Sequence, residues 1–302
     1  MTEANSRQTF VTSADGTRIS VTVTGRGRPL VLVHGSLSTS ADWQRVVDGL
    51  ADHMTVHALD RRGYGRSEDA AQYSVERERE DVTAVLELAG PDAILFGHSF
   101  GGFLSGSLAL EHTPAAAILY EPPFFPPGLV ADEEALAVYD GLLAAGDLDE
   151  ALALGMRAFV KAPEEEISAF RSSPGWKVRT AFAPTWAREM RALNAFDSER
   201  APFAKITCPT LVLRGEYSPA WLREGAQRFQ QVLPDARLVD LPGQGHDAAR
   251  TGPALLAREV LNFVRTLPAL VPTVPAAPRP ITRPDPSRPR TTARPQRKAT
   301  RT

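Results

Sequence analysis

Phe96-Gly97-His98-Ser99-Phe100-Gly101-Gly102 is the most informative stretch of this 302-residue sequence. The apolar, β-favouring residues 93–96 lead into it, and small and apolar residues follow at helical spacing over 103–110. The segment 97–101 fills the pattern G-x-S-x-G, which between a strand and a helix describes a serine held on a tight turn. We therefore predict a strand, a sharp turn and a helix, with the Ser99 hydroxyl exposed beside the backbone N–H groups that begin the helix.

The two glycines that flank Ser99 at a distance of two residues have a mechanical explanation. A side chain at Gly97 or Gly101 would collide with the neighbouring strand or helix. As a bare pattern the pentapeptide is weak, since glycine and serine are common, and a glycine-rich structural turn is the alternative interpretation. The strand before it and the helix after it favour Ser99 as a nucleophile.

Strand and helix patterns alternate along most of the chain. Alternating residues on both sides of Asp15-Gly16 predict an antiparallel hairpin at a sheet edge, and the apolar run 30–33 predicts a strand buried on both faces. The same arguments predict further strands at 54–59, 93–96, 115–120, 210–215 and 236–241, and helices at 40–52, 75–89, 219–232 and 254–266. This order predicts an α/β fold with a doubly wound, mostly parallel sheet.

Two parts of the chain depart from this alternation. Helix formers replace the strand signal over residues 124–203, which predicts a helical insertion between two core segments, 1–123 and 204–267. From Pro268 to residue 302, nine prolines interrupt a stretch with eight basic residues and the single acidic residue Asp285. Such a composition cannot bury a core, so we expect a disordered, solvated tail.

The composition, 43% hydrophobic and 23% charged, is that of a soluble globular protein. Without its basic tail the chain is acidic, and we expect no nucleic-acid partner. Cys208 is the only cysteine, which excludes an intrachain disulfide and a thiolate metal cluster. The polar N-terminus and the absence of long apolar stretches predict a cytoplasmic protein without membrane insertion. We expect no metal and no cofactor.

A serine nucleophile needs a base, and the tetrahedral intermediate needs two N–H donors. His246 is the best-placed histidine, because its glycine-containing loop follows the last strand and opens at the carboxyl edge of the sheet, where Ser99 also lies. The expected oxyanion donors are the backbone N–H groups of Phe100 and of Ser36, which follows His34-Gly35. A glycine turn at Gly35 that only joins strand to helix is the alternative.

Four segments together resemble the α/β-hydrolase superfamily. They are His34-Gly35-Ser36, the loop from Asp60 to Ser67 (DRRGYGRS), Gly97-His98-Ser99-Phe100-Gly101-Gly102, and Gly243-Gln244-Gly245-His246. The resemblance covers residues 8–266, and residues 124–203 correspond to the variable cap of that superfamily. It implies hydrolysis by a Ser-acid-His triad without a cofactor, but names no substrate.

The acid of the triad is the one departure from the family pattern. Members usually carry it three residues after the glycine that ends the penultimate strand, where this chain has Ser218, which cannot carry a negative charge. Glu121 follows the strand after the nucleophile helix, a location used by some members, and we favour it. Glu216 lies closer to the usual place, but alternation along the chain turns it away from the site. An incomplete triad is the third possibility.

Aromatic residues within and around the insertion predict an apolar acyl pocket above Ser99. With no arginine cluster apparent, we expect the small-molecule substrate to be a neutral, fairly hydrophobic ester, thioester or lactone. A C–C bond hydrolase or a cofactor-free perhydrolase would use the same residues. A non-catalytic binding protein on a hydrolase scaffold is the alternative motivated by Ser218.

Overall fold

The computed structural model describes residues 6–126 and 128–269. Eight strands form one sheet: β1 (Ser6–Thr12), β2 (Arg18–Gly25), β3 (Arg28–Val33), β4 (Met54–Leu59), β5 (Ile94–His98), β6 (Ala116–Tyr120), β7 (Thr210–Gly215) and β8 (Ala236–Leu241). Their spatial order is β1-β2-β4-β3-β5-β6-β7-β8. Crossover connections of this kind bring distant parts of the sequence to one edge of the sheet.

The sheet is mostly parallel, as predicted. Strand β2 pairs antiparallel with β1 and with β4, and the five remaining pairings are parallel. The hairpin between β1 and β2 turns at Asp15-Gly16, where the Asp15 carboxylate accepts a hydrogen bond from the Thr17 N–H at 3.0 Å. The predicted antiparallel edge and doubly wound α/β class are therefore confirmed.

Eleven α-helices lie in the described part of the chain: α1 (Gln44–Leu50), α2 (Val75–Ala89), α3 (Phe100–Leu108), α4 (Glu133–Ala144), α5 (Leu148–Ala158), α6 (Glu164–Arg171), α7 (Pro174–Thr180), α8 (Ala183–Ala195), α9 (Ala220–Val232), α10 (Ala248–Thr251) and α11 (Pro253–Val264). A 3₁₀ turn over Ser40–Trp43 precedes α1, so the helix predicted at 40–52 is shorter than expected. None of these helices is long and apolar enough to cross a membrane.

The core has two layers, one on each face of the sheet. Within β3, Val31 and Val33 face one apolar layer, whereas Leu30 and Leu32 face the other. All four side chains are fully buried, because a parallel strand is covered on both faces. This explains why the strand has a continuous apolar run instead of an alternating pattern.

Helices α4 to α8 all lie between β6 and β7, in the segment for which a helical insertion is predicted. We call residues 124–203 the insertion; its status as a separate cap is still a prediction. The predicted disordered tail lies, from residue 270 onward, outside the described residues.

Candidate active site

Ser99 lies on a strained turn between β5 and α3. Its φ of 52° and ψ of −123° are unusual for a residue with a side chain, and its N–H donates to the Tyr120 carbonyl at 2.9 Å. A Cβ at Gly97 would lie 2.3 Å from the Gly101 carbonyl oxygen, and one at Gly101 would lie 2.2 Å from the Val33 carbonyl oxygen. A side chain at either glycine would therefore clash with the backbone, as the sequence predicts. The turn leaves the Ser99 side chain partly exposed.

Ser36 and Phe100 line the same cavity as Ser99. Neither N–H donates a hydrogen bond to another described residue of the chain. The turn before Ser36 is held by His34, whose Nε2 accepts the Arg61 N–H at 3.0 Å and whose Nδ1 donates to the Gly35 carbonyl at 2.7 Å. Burial, with the nearby Arg61 charge, lowers the pKa of His34 to about 4, so its ring is neutral at physiological pH.

Glu121 and His246 form a direct hydrogen-bonded pair. Glu121 follows β6 with a φ of 45°, and its side chain is completely buried. Its Oε2 accepts from His246 Nδ1 at 2.5 Å, and its Oε1 accepts from the Gly215 N–H at 2.7 Å. Because Nδ1 donates to the carboxylate, Nε2 of the neutral ring is the nitrogen that can accept a proton.

Of the two glutamates left open by the sequence, only Glu121 contacts His246. Glu216 points away, and its Oε2 accepts the Gly243 N–H at 2.7 Å. Ser218, at the usual position of the acid, is buried, and its hydroxyl has no hydrogen-bond partner among the described residues.

Two side chains, His98 and Tyr120, hold the backbone of the His246 loop. The sequence did not predict this role for either of them. His98 Nε2 donates to the His246 carbonyl at 2.9 Å, and the two rings lie 4.6 Å apart between centroids. The Tyr120 hydroxyl donates to the Gly245 carbonyl. Burial, with the neighbouring His246, lowers the pKa of His98 well below its usual value, which keeps its ring neutral. Both contacts join residues more than a hundred positions apart, so no local pattern signals them.

Ser99 and His246 line one cavity of about 370 Å³. In the described residues no hydrogen bond joins the Ser99 hydroxyl to the His246 ring; such bonds are often long before substrate binds. The arrangement brings a partly exposed hydroxyl, an imidazole oriented by a buried carboxylate and two free N–H groups to one cavity. These are the parts that acyl transfer to a serine requires.

The insertion supplies a large part of the apolar wall of the cavity. Three of its aromatic residues contribute, Phe159, Phe170 and Trp186, and the other apolar side chains are Val130, Met156, Val160, Met190 and Leu193. Other aromatic residues pack elsewhere: Phe124, for example, stacks on Phe229 at 4.7 Å between ring centroids. The prediction that some of these aromatic residues face Ser99 and the rest form a core agrees with this distribution.

The polar side of the cavity differs from the sequence expectation. Two arginines line it, Arg179 and Arg250, although no arginine cluster was apparent in the sequence. Arg179 donates to Asp42 Oδ1 at 2.7 Å, and Arg250 pairs with Asp247 at 3.3 Å. Burial opposes ionisation of Asp42, but its hydrogen bond with Arg179 holds the pKa of Asp42 below its usual value. Each arginine therefore has an aspartate that offsets its charge.

Within residues 6–126 and 128–269, no group of three or more His, Cys, Asp or Glu side chains is arranged to hold a metal ion. Cys208, between the insertion and β7, is a buried free thiol.

Comparison with known proteins defines the class of this enzyme. The sequence model described as "Alpha/beta hydrolase family" matches residues 30–259, which is most of the chain and includes Ser36, Ser99, Glu121 and His246. The chain belongs to the alpha/beta hydrolase family and is a hydrolase of this fold.

Individual relatives support the same class. A pimeloyl-[acyl-carrier protein] methyl ester esterase of Vibrio cholerae is 42% identical over 91 residues, 30% of this chain and 34% of that relative. A 2-(acetamidomethylene)succinate hydrolase of Mesorhizobium japonicum is 25% identical over 80% of this chain and 89% of that protein. The crystal structure of an alpha/beta hydrolase from Sphaerobacter thermophilus has a TM-score of 0.77 and 36% identity, covering 85% of this chain and all of that one.

Proposed function

We propose that the protein is a serine hydrolase that cleaves neutral, fairly hydrophobic small-molecule carboxylic esters, thioesters or lactones. The observation that carries the proposal is the Glu121–His246 pair at the cavity that Ser99 lines. The buried carboxylate orients the imidazole and stabilises the cation that forms when the ring accepts a proton.

The reaction proceeds in two steps. His246 Nε2 takes the proton of the Ser99 hydroxyl as Oγ attacks the carbonyl carbon, and the N–H groups of Ser36 and Phe100 bind the resulting oxyanion. The carbon–oxygen bond to the alcohol then breaks, and His246 returns the proton to the leaving alcohol. A water molecule, deprotonated by His246, attacks the acyl-enzyme and releases the acid and free Ser99.

In this proposal the insertion, residues 124–203, is a cap over the nucleophile. Its apolar wall, which includes Phe159 and Met190, binds the acyl group, and the cavity volume of about 370 Å³ suits a small molecule. The name of the Vibrio cholerae relative, a methyl ester esterase, supports ester chemistry. With one cysteine in the sequence, we also propose a cytoplasmic location.

The non-catalytic alternative is based on Ser218, and the Glu121 carboxylate weakens it by supplying an acid from another strand. Hydrolysis of short p-nitrophenyl esters tests the proposal with the wild-type chain and Ser99→Ala. We expect Ser99→Ala to lower kcat by a factor of about 10⁵ or more. Hydrolysis that persists undiminished in Ser99→Ala would refute the proposal. A panel of diketones and hydrogen peroxide with carboxylic acids distinguishes C–C hydrolysis and perhydrolysis from ester hydrolysis.

A further inference from the structure

Glu189 joins the insertion to the core through its side chain. It lies on α8, yet its side chain is almost completely buried against the loop that follows β4. Its Oε1 accepts from Arg61 Nη2 at 2.7 Å and from the Tyr64 hydroxyl at 2.8 Å. Arg61 is also bound by Glu78, at 2.6 and 2.7 Å. Burying a carboxylate costs free energy even when it is paired, so packing alone does not explain why a charged residue occupies this position.

The contact with Tyr64 connects Glu189 to the turn that contains Ser36. The Tyr64 hydroxyl, while it donates to Glu189, accepts the N–H of Leu37 at 3.3 Å. Leu37 follows Ser36 directly and has a φ of 56°, a left-handed conformation that a leucine adopts only when its surroundings hold it. Two side chains of α8 therefore fix the hydroxyl that holds this strained residue: Glu189, and Thr185, whose Oγ1 lies 2.7 Å from it.

The contact with Arg61 connects Glu189 to Phe100. The Arg61 guanidinium lies 4.5 Å from the centroid of the Phe100 ring, within the range of a cation–π interaction. The Arg61 backbone N–H also donates to His34, which holds the turn before Ser36. One carboxylate on the insertion thus touches both side chains that support the two proposed oxyanion donors.

We propose that Glu189 is a positioning residue, which docks α8 onto Arg61 and Tyr64 and thereby fixes the spacing of the Ser36 and Phe100 N–H groups. The inference rests on the proposed function, because it assigns these two N–H groups to the oxyanion. Its consequence is that the insertion contributes to the chemical step as well as to substrate binding.

The environment of Glu189 agrees with this role. Burial and the nearby Glu78 charge raise the pKa of Glu189, and the Arg61 charge and the Tyr64 hydroxyl oppose that rise. A glutamine at this position keeps an oxygen that can accept from Arg61 and Tyr64, whereas a leucine keeps only the packing volume.

The test compares Glu189→Leu with Glu189→Gln and with Arg188→Leu. Arg188 is the neighbouring residue on α8. It pairs with Asp69 at 3.0 Å and donates to the Arg62 carbonyl at 3.5 Å, but it makes no hydrogen bond to Arg61, Tyr64 or Ser36. We expect Glu189→Leu to lower kcat for a p-nitrophenyl ester by a factor of about 10 to 100, because small displacements of oxyanion donors have effects of this size. The KM should change less than about threefold. Glu189→Gln and Arg188→Leu should keep most of the activity.

A second readout isolates the oxyanion site. A boronic acid forms a tetrahedral adduct with an active-site serine, so its inhibition constant should rise in Glu189→Leu by about the factor by which kcat falls. If Glu189→Leu fails to fold, Tyr64→Phe carries the same test, since it removes the hydroxyl between Glu189 and Leu37 and keeps the ring.

Two results would overturn the positioning role: an unchanged kcat in the folded variant, or an equal loss in Arg188→Leu. Failure of the proposed function is distinguishable, because the wild-type enzyme itself would then show no Ser99-dependent ester hydrolysis.

Discussion

Nδ1 of His246 lies 2.5 Å from Oε2 of Glu121, a contact between residues 125 positions apart in the sequence. The buried Glu121 is also tied to the Gly215 N–H, so the carboxylate that orients the imidazole is fixed by two strands. Charge-assisted hydrogen bonds of this kind are among the strongest in proteins. The acid that we propose for the triad therefore follows β6 and does not occupy the position of Ser218.

Glu121→Gln should therefore lower kcat for ester hydrolysis roughly 10³- to 10⁴-fold, because an amide cannot stabilise the imidazolium and can favour the wrong tautomer. Glu216→Gln is the matched control. It keeps an oxygen for the Gly243 N–H and should leave kcat within about twofold of wild type. Steady-state kinetics on both variants decides the assignment, and the reverse pattern would move the role to Glu216.

The turn that presents Ser99 predicts an asymmetry between two adjacent glycines. A Cβ at Gly101 would lie 2.2 Å from the Val33 carbonyl oxygen, whereas a Cβ at Gly102 has its nearest neighbour, the Gly97 carbonyl oxygen, at 3.2 Å. Gly101→Ala should lower the free energy of unfolding by about 3 kcal/mol or more. Gly102→Ala should change it by about 1 kcal/mol or less, since the gain in helix propensity offsets the tight contact. Denaturant unfolding measures both, and equal effects would contradict the steric account.

Asp42 and Arg179 predict a change in substrate preference. Arg179 Nη2 lies 2.7 Å from Asp42 Oδ1, so each residue offsets the charge of the other at the cavity. Asp42→Asn should leave the Arg179 charge available and lower KM about 10-fold for an ester that carries a free carboxylate, since a charge-assisted hydrogen bond contributes about 1.5–3 kcal/mol. Arg179→Gln should raise the KM for the same ester.

The monomethyl and dimethyl esters of one dicarboxylic acid provide the comparison for this charge pair. Only the monoester should respond to either substitution. If the ratio of kcat/KM for the two esters is the same in wild type and both variants, the pair does not influence substrate binding.

The buried His34 predicts a pH dependence of stability. Its pKa is lowered to about 4 in the folded protein by burial and Arg61, against about 6.5 in the unfolded chain. Between these values the unfolded chain binds more protons, so the contribution of His34 to stability falls as pH decreases from about 6.5 to about 4. The loss amounts to about 3 kcal/mol across that window, at 1.36 kcal/mol per pH unit.

The measurement is the free energy of unfolding at pH 7 and at pH 4.5 for wild type, His34→Gln and the control His112→Gln. His112 is exposed in the loop that follows α3. The difference between wild type and His34→Gln should shrink toward low pH, because only the wild type carries this titration. A difference that does not change with pH would show that His34 does not titrate in this way.

The sequence predicted those features that depend on local patterns. Helix α2 lies at the predicted residues 75–89, because its apolar spacing is framed by Ser74, whose hydroxyl caps the first turn, and by Gly90 at its end. The strand, turn and helix around Ser99 follow from glycines that are required by contacts within the segment and with β3. The prediction of His246 used the rule that the loop after the last strand opens at the same edge of the sheet, and His246 does line the cavity that Ser99 lines.

Features that depend on contacts between distant segments were not predicted. The sequence favoured Glu121 without excluding Glu216, since the choice depends on the side-chain direction of Glu121, whose own φ is positive. Asp42 and Arg179 lie 137 positions apart, and Arg61 and Glu189 lie 128 apart. Nothing in the local sequence of either partner identifies the other, so only the fold brings these pairs together.

Covalent labelling of Ser99 by a fluorophosphonate tests the central claim most directly, because only an activated serine reacts with this reagent. Intact and peptide mass spectrometry should detect one adduct, on Ser99, in the wild-type enzyme. Ser99→Ala should remain unlabelled, and Glu121→Gln and His246→Ala should react far more slowly. A wild-type enzyme that does not react, or a Ser99→Ala variant that is labelled at the wild-type rate, would contradict the account.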